Sequence, residues 1–148
     1  SIYNLTAKNL SAFYVNGENI YIDTCDIHSI YTILSGDQIA VSNSNFTGNM
    51  SNNTLYTKNC TCSMENVTIS GGNPFDLYIS SSNITMENVN YSSYLIEWAL
   101  RIMVEGKNNI PVEGANITIH DSLGRLATTG LTDEYGMLKV MLMERYGN

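Results

Sequence analysis

The stretch Ile39–Phe46, IAVSNSNF, decides the reading of the chain because its pattern recurs. Four other octads match it: Tyr3–Leu10 (YNLTAKNL), Ile20–Ile27 (IYIDTCDI), Cys62–Ile69 (CSMENVTI) and Ile84–Tyr91 (ITMENVNY). Positions 1, 3 and 8 are mostly apolar, and position 5 is Ala7, Thr24, Asn43, Asn66 and Asn88. The octads start 17, 19, 23 and 22 residues apart. Alternation within a unit that repeats about every 20 residues marks a β-solenoid, whose units bury their apolar faces by stacking.

A second strand precedes each later octad at a constant offset. Seven residues before the octads stand Phe13, Thr32, Leu55 and Leu77, and five before stand Val15, Leu34, Thr57 and Ile79. The link into the octad has a fixed length, as Asn16–Asn19, Ser35–Gln38, Lys58–Thr61 and Ser80–Asn83. The other link varies, up to Phe46–Leu55, and solenoids place their insertions in loops of this kind. The expectation is a parallel β-helix of about five coils, with positions 1, 3 and 8 inward and Asn43, Asn66 and Asn88 stacked at a corner as an amide ladder. Residues 1–98 form the first expected domain and residues 99–148 the second. Tyr94–Val104 is expected to finish the last coil, with Trp98 capping the open end of its core.

Bulk properties exclude several classes. With 14 acidic against 7 basic residues, the chain lacks the basic surface that nucleic acid requires. Residues 1–93 contain only Lys8 and Lys58 as basic residues. No run of 18 apolar residues exists to span a membrane as a helix. Ser1 already lies at the edge of a repeat, so the N-terminus reads as processed or internal. The three cysteines, Cys25, Cys60 and Cys62, make no disulfide framework and no zinc spacing. Cys62 takes an apolar octad position and is expected as a buried free thiol.

The repeat resembles the right-handed parallel β-helix repeat proteins over residues 1 to about 92, and the hand is implied by that resemblance. After residue 103 the text changes. Strand candidates are Ala115–His120, Ala127–Leu131 and Met137–Met143. Pro111-Val112-x-Gly114-Ala115, the turn Asp121–Gly124 and Thr132-Asp133-x-x-Gly136 resemble immunoglobulin-like modules of the carboxypeptidase regulatory-domain type. Such sandwiches use about seven strands. Only three or four are readable here, so the chain is expected to be a piece of a longer one. The expected fold class is all-β, a parallel β-helix followed by a partial Ig-like β-sandwich. The pairing of the two modules resembles archaeal surface-layer or sheath glycoproteins.

The strongest chemical signal is N-x-[ST], present ten times: Asn4, Asn9, Asn45, Asn49, Asn52, Asn59, Asn66, Asn83, Asn90 and Asn116. Composition alone would give about a third as many. An Asn-rich repeat makes sequons as a by-product, and this accounts best for Asn66, which is expected to be buried in the ladder. Asn9, Asn45 and Asn90 share octad position 7, and Asn49 and Asn52 lie in a loop. N-linked glycans are solubilising and must point outward, so they imply an extracellular or cell-surface location.

Tyr14, Tyr56 and Tyr78 are expected to form an exposed aromatic row, serving either cross-coil stacking or a platform for sugar or a neighbouring subunit. Glu65 and Glu87 share position 4 on successive coils, a weak Ca²⁺ candidate and formally a glycosidase pair. His28, placed in a loop, and His120 have no nucleophile arrangement in the sequence and are expected as plain residues. The expected function is a structural glycoprotein that carries glycans and assembles head-to-tail or as a homo-oligomer into a layer, sheath or filament. It is expected to have no catalytic residues and no cofactor, calcium aside. The alternatives are a carbohydrate-active β-helix enzyme fragment, with its groove formed by loops 47–54 and 70–76, and a glycan-binding adhesin.

Overall fold

The computed structural model describes residues 1–147. Those residues are almost all strand or turn, with one 3₁₀ turn at Lys107–Asn109. The chain divides into two units: Ser1–Glu97 with Met143–Asn148, and Trp98–Leu142.

The first unit is a parallel β-solenoid of about four turns, not five. Three strand positions recur in each coil. The first is held by β3 (Phe13–Asn16), the start of β6 (Thr32–Ser42), the start of β8 (Leu55–Glu65) and β10 (Leu77–Ser80). The second is held by β1 (Ile2–Tyr3), β4 (Ile20–Asp23), the ends of β6 and β8, and β11 (Asn83–Glu87). These strands share one sheet, because β6 and β8 run unbroken from the first position into the second. The third position forms a separate four-stranded sheet of β2 (Thr6–Leu10), β5 (Asp26–Ser29), β7 (Asn45–Thr47) and β9 (Thr68–Ser70).

The register makes columns of like residues. Ile2, Ile22, Val41, Met64 and Met86 stack in one. Ala7, Ile27, Phe46 and Ile69 stack in another. Val15, Leu34, Thr57 and Ile79 form a third. Phe46, Ile27, Leu34, Leu55 and Leu77 are fully buried. Burying a side chain of this size contributes about 1.5–3 kcal/mol, and no coil can bury both sides of its residues without the next.

The first octad is displaced from its expected register. Ile2 pairs with Ile22 and Tyr3 with Asp23, so Tyr3 holds position 4 and not position 1. Asn4 therefore takes position 5 in place of Ala7, and Ala7 takes position 8 opposite Ile27. Tyr3, Leu5 and Leu10 imitate the 1-3-8 spacing, but Leu5 lies at position 6. That position also faces inward, as Cys25, Ser44 and Val67 are buried there. Asn9 consequently does not share position 7 with Asn45 and Asn90.

The short link between first and second strands changes shape along the stack. Gly17 and Gly36 adopt φ of 152° and 116°, followed two residues later by left-handed Asn19 and Gln38. In the next coils Asn59 and Ser81 are left-handed instead, with φ of 48° each. The register between β6 and β8 shifts at this point, with Gly36 opposite Cys60. A Cβ on Gly36 would lie 2.0 Å from the Gly17 carbonyl oxygen, so only glycine allows the two links to stack.

Strand β12 (Tyr94–Met103) pairs with β10 over Tyr94–Glu97, and Tyr94 and Ile96 pack against the core. Trp98 is 42 % exposed and falls in the second unit, so Tyr94 and Ile96 end the core columns where Trp98 was expected. In the second unit β13 (Asn116–His120) and β14 (Leu126–Leu131) form an antiparallel pair, and β15 (Met137–Gly147) begins there and ends in the first unit. The motif residues of this unit make turns. Asp133 Oδ1 accepts the amides of Tyr135 and Met137, and Asp121 Oδ1 those of Leu123 and Arg125. Thr132 donates its hydroxyl to the Val112 carbonyl and accepts the Ala115 amide. Ile117 and Ile119 alternate along one face of β13, Val140 and Leu142 along one face of β15, and all four are only half-buried.

The Thr57 hydroxyl is fully buried among aliphatic neighbours and finds no partner among the described residues. Thr57→Val keeps the shape and removes the desolvated oxygen. It should raise stability by roughly 1 kcal/mol in urea denaturation.

Candidate functional site

The corner at position 5 carries the most regular side-chain chemistry of the solenoid. Asn4, Thr24, Asn43, Asn66 and Asn88 have φ of 51°, 55°, 47°, 54° and 52°. Asparagine tolerates the left-handed conformation better than most residues, which explains its use here. The backbone amides of Asn4, Thr24, Asn43 and Asn66 each donate to the carbonyl one coil onward. The Asn88 amide nitrogen donates to Asn66 Oδ1 at 3.2 Å, and Asn66 donates to Asn43 Oδ1 at 3.3 Å. Asn43 donates to Asp23 Oδ1 at 2.9 Å. Asp23 ends the row by also accepting the Ser42 and Thr24 hydroxyls, and these three bonds hold its carboxyl below the ordinary range.

All ten sequon asparagines are exposed, Asn66 included, against the expectation that the ladder buries it. Exposure alone does not set them apart, because Asn16, Asn19, Asn43, Asn73 and Asn88 are exposed without a sequon. The side-chain nitrogen discriminates better. Among the described residues only Asn66 of the ten commits its Nδ2, to Asn43. Asn49 and Asn116 use only their oxygens, for the Ser51 amide and the Thr129 hydroxyl. Nine sequons thus offer an unengaged nitrogen: Asn4, Asn9, Asn45, Asn49, Asn52, Asn59, Asn83, Asn90 and Asn116.

The tyrosine row is longer than its sequence reading. Tyr14, Ile33, Tyr56 and Tyr78 share one register column, and Tyr31 fills the aromatic gap at Ile33. Ring centroids lie 5.8, 6.2 and 5.2 Å apart along Tyr14, Tyr31, Tyr56 and Tyr78. The first two contacts are edge-to-face, at 89° and 78°. The Tyr14 and Tyr31 hydroxyls are 2.7 Å apart. At the far end the Tyr78 phenol donates to the Glu97 carboxylate, and burial followed by this carboxylate pushes the phenol pKa up. Tyr31 precedes its strand by one residue, so an octad-based offset does not find it.

Glu65 and Glu87 are direct register partners, both exposed. Among the described residues no group of three His, Cys, Asp or Glu side chains gathers as a metal site. The long loops stack on each other: Gly48 and Met50 donate to Ser70 and Gly71, and Asn73 donates to Asn52. The glutamates stand on the second strand of the coil, apart from those loops.

His28 lies in β5, not in a loop, and its Nε2 is 3.1 Å from Asp26 Oδ1. The imidazole lines a shallow groove with Asn9, Ser11, Thr47 and Asn49. His120 is exposed at the end of β13. Cys25, Cys60 and Cys62 are all free and buried. The neighbouring Cys60 and burial together push the Cys62 thiol up.

A carboxylate also fixes the loop before β10. Asp76 is 3 % exposed; its Oδ1 accepts the Gly72 amide at 2.8 Å, and its Oδ2 accepts the Ser92 amide and hydroxyl at 2.9 and 2.6 Å. Burial alone would raise its pKa, but the Ser92 hydroxyl and the Gly72, Ser92 and Ser93 amides outweigh it and hold the carboxyl low. A folded pKa below the unfolded value of roughly 3.9 gives stability that is complete above that value. It is lost as pH falls through the folded pKa. Asp76→Asn should therefore be less stable than the parent at neutral pH and show a flatter loss of urea midpoint down to about pH 3.

Asn66→Ala removes two ladder bonds and places a Cβ-bearing residue without a local polar partner at φ 54°. It should cost about 2–3 kcal/mol by thermal or urea unfolding. Asn66→Gly should recover the backbone part of that loss.

Compared with models of protein families, with curated proteins and with solved structures, the chain finds no match in any of the three.

Proposed function

We propose that the chain is a structural segment of an extracellular, cell-surface glycoprotein, acting as a stiff solenoid in a surface layer, sheath or filament. The observation that carries this reading is the distribution of sequons on the stack. Among the described residues nine exposed sequon asparagines keep their side-chain nitrogens unengaged, while the ladder that holds the coils together ties up the tenth. A glycan coat would leave the inward columns and the inter-coil bonds untouched. The resemblance to archaeal surface-layer or sheath proteins, the right hand of the coil and the Ig-like character of residues 99–148 belong to the same proposal. Within it the terminal module links to a neighbour, and copies assemble head-to-tail.

A second reading, as a glycan-binding adhesin, draws on the tyrosine row. The edge-to-face arrangement of Tyr14, Tyr31 and Tyr56 favours ring–ring contact over a flat platform, so this reading ranks below the first.

Glycopeptide mass spectrometry on material from the natural host tests the proposal. Hexose-bearing mass is expected at several of Asn9, Asn45, Asn49, Asn52 and Asn90, with Asn66 unmodified. Unmodified peptides at all of these sites in material from that host would reduce the sequons to by-products of an Asn-rich repeat.

A further inference from the structure

We propose that Tyr14 and Tyr31 form a built-in site for an oxidative tyrosine–tyrosine cross-link that staples successive coils. Three observations converge on this pair. The phenol oxygens are 2.7 Å apart, and the residues are 17 positions apart in sequence. The ring centroids lie 5.8 Å apart with the planes at 89°, so the two rings are already in contact before any oxidation. Tyr14 is 61 % exposed, so an oxidant in solvent reaches it. No other neighbours in the row share a phenol–phenol hydrogen bond among the described residues, and Tyr78 directs its hydroxyl to Glu97.

The chemistry needs a one-electron oxidant, supplied by hydrogen peroxide acting through a haem peroxidase. Each phenol loses one electron and its hydroxyl proton, giving a phenoxyl radical with spin on the carbons flanking the oxygen. The two radicals join through those ortho carbons. The ring hydrogen displaced at each carbon returns to oxygen and restores the phenol. Two phenols and one hydrogen peroxide thus give one biphenol and two waters. Closely held oxygens favour coupling within the pair, because the flanking carbons meet before either radical diffuses to another molecule. The link would close a loop between adjacent coils and, like a disulfide, restrict the unfolded chain.

The test treats the full chain at low concentration with a haem peroxidase and hydrogen peroxide. The expected product is a monomer lighter by two hydrogen atoms, with the blue fluorescence of a biphenol. Cleavage at Glu18 or Asp23 separates the two residues, so the linked pair should appear as one cross-linked peptide holding both. Tyr14→Phe and Tyr31→Phe each keep the ring and should each abolish that peptide. Tyr21→Phe, which changes another exposed tyrosine, should leave it intact. The linked monomer should also unfold at higher urea than the unlinked one. Coupling that yields only intermolecular dimers, or intramolecular links that survive Tyr14→Phe, would overturn the assignment.

Discussion

Everything in the solenoid depends on the left-handed residue that turns the chain at position 5. It ends the second strand and starts the third. Its amide reaches forward to the next coil, as Asn43 does to Glu65. Two residues on, the amide reaches back, as Asn45 does to Cys25. The corner therefore bonds to both neighbours within three residues, and it fixes which side chains face the core. A slip of one residue would turn Ile22, Val41 and Met64 outward together. Asparagine suits this position because it accepts φ near +50° and its amide can both donate and accept along the stack.

The same constraint explains where variation is permitted. The corner and the short link are of fixed length because coil must lie on coil there, most tightly at Gly17 and Gly36. The loop between third and first strands carries the extra residues. It still obeys the stacking rule locally, since residues 48–52 lie against 70–73 through main-chain bonds. Asp76 then ties that loop to Ser92 on the following coil. Polar side chains thus do in the loops what apolar columns do in the core: each satisfies the residue one coil away.

Much of this was legible from residue spacing alone. The two strand registers, the inward columns and the corner asparagines follow from alternation that repeats, which is a property of backbone geometry. The failures have specific causes. Leu5 and Tyr3 mimicked an octad because position 6 also faces inward, a fact hidden while Cys25 and Ser44 looked polar or small. Tyr31 was invisible because it joins the aromatic row from a turn, where no periodicity operates. A loop at His28 hides the His28–Asp26 contact, which exists because both residues lie on one strand and alternate residues share a face. In residues 99–148 the legible signal is turn motifs, and Asp121 and Asp133 do make the turns those motifs imply. How their strands layer is not encoded in turns.

The inter-coil bonds run parallel to the stacking direction, and this has a mechanical consequence. Tension applied between the first and last coils would load those bonds end-on, one coil interface at a time. They would give way in sequence and not together as a sheared patch. Each coil freed would release the slack of its own residues. For repeats offset by 20 residues at Ile2 and Ile22, and by 23 at Ile39 and Cys62, that is roughly 70–80 Å per step. Such a stack would stretch as a series of fuses, each dissipating work before the next is reached.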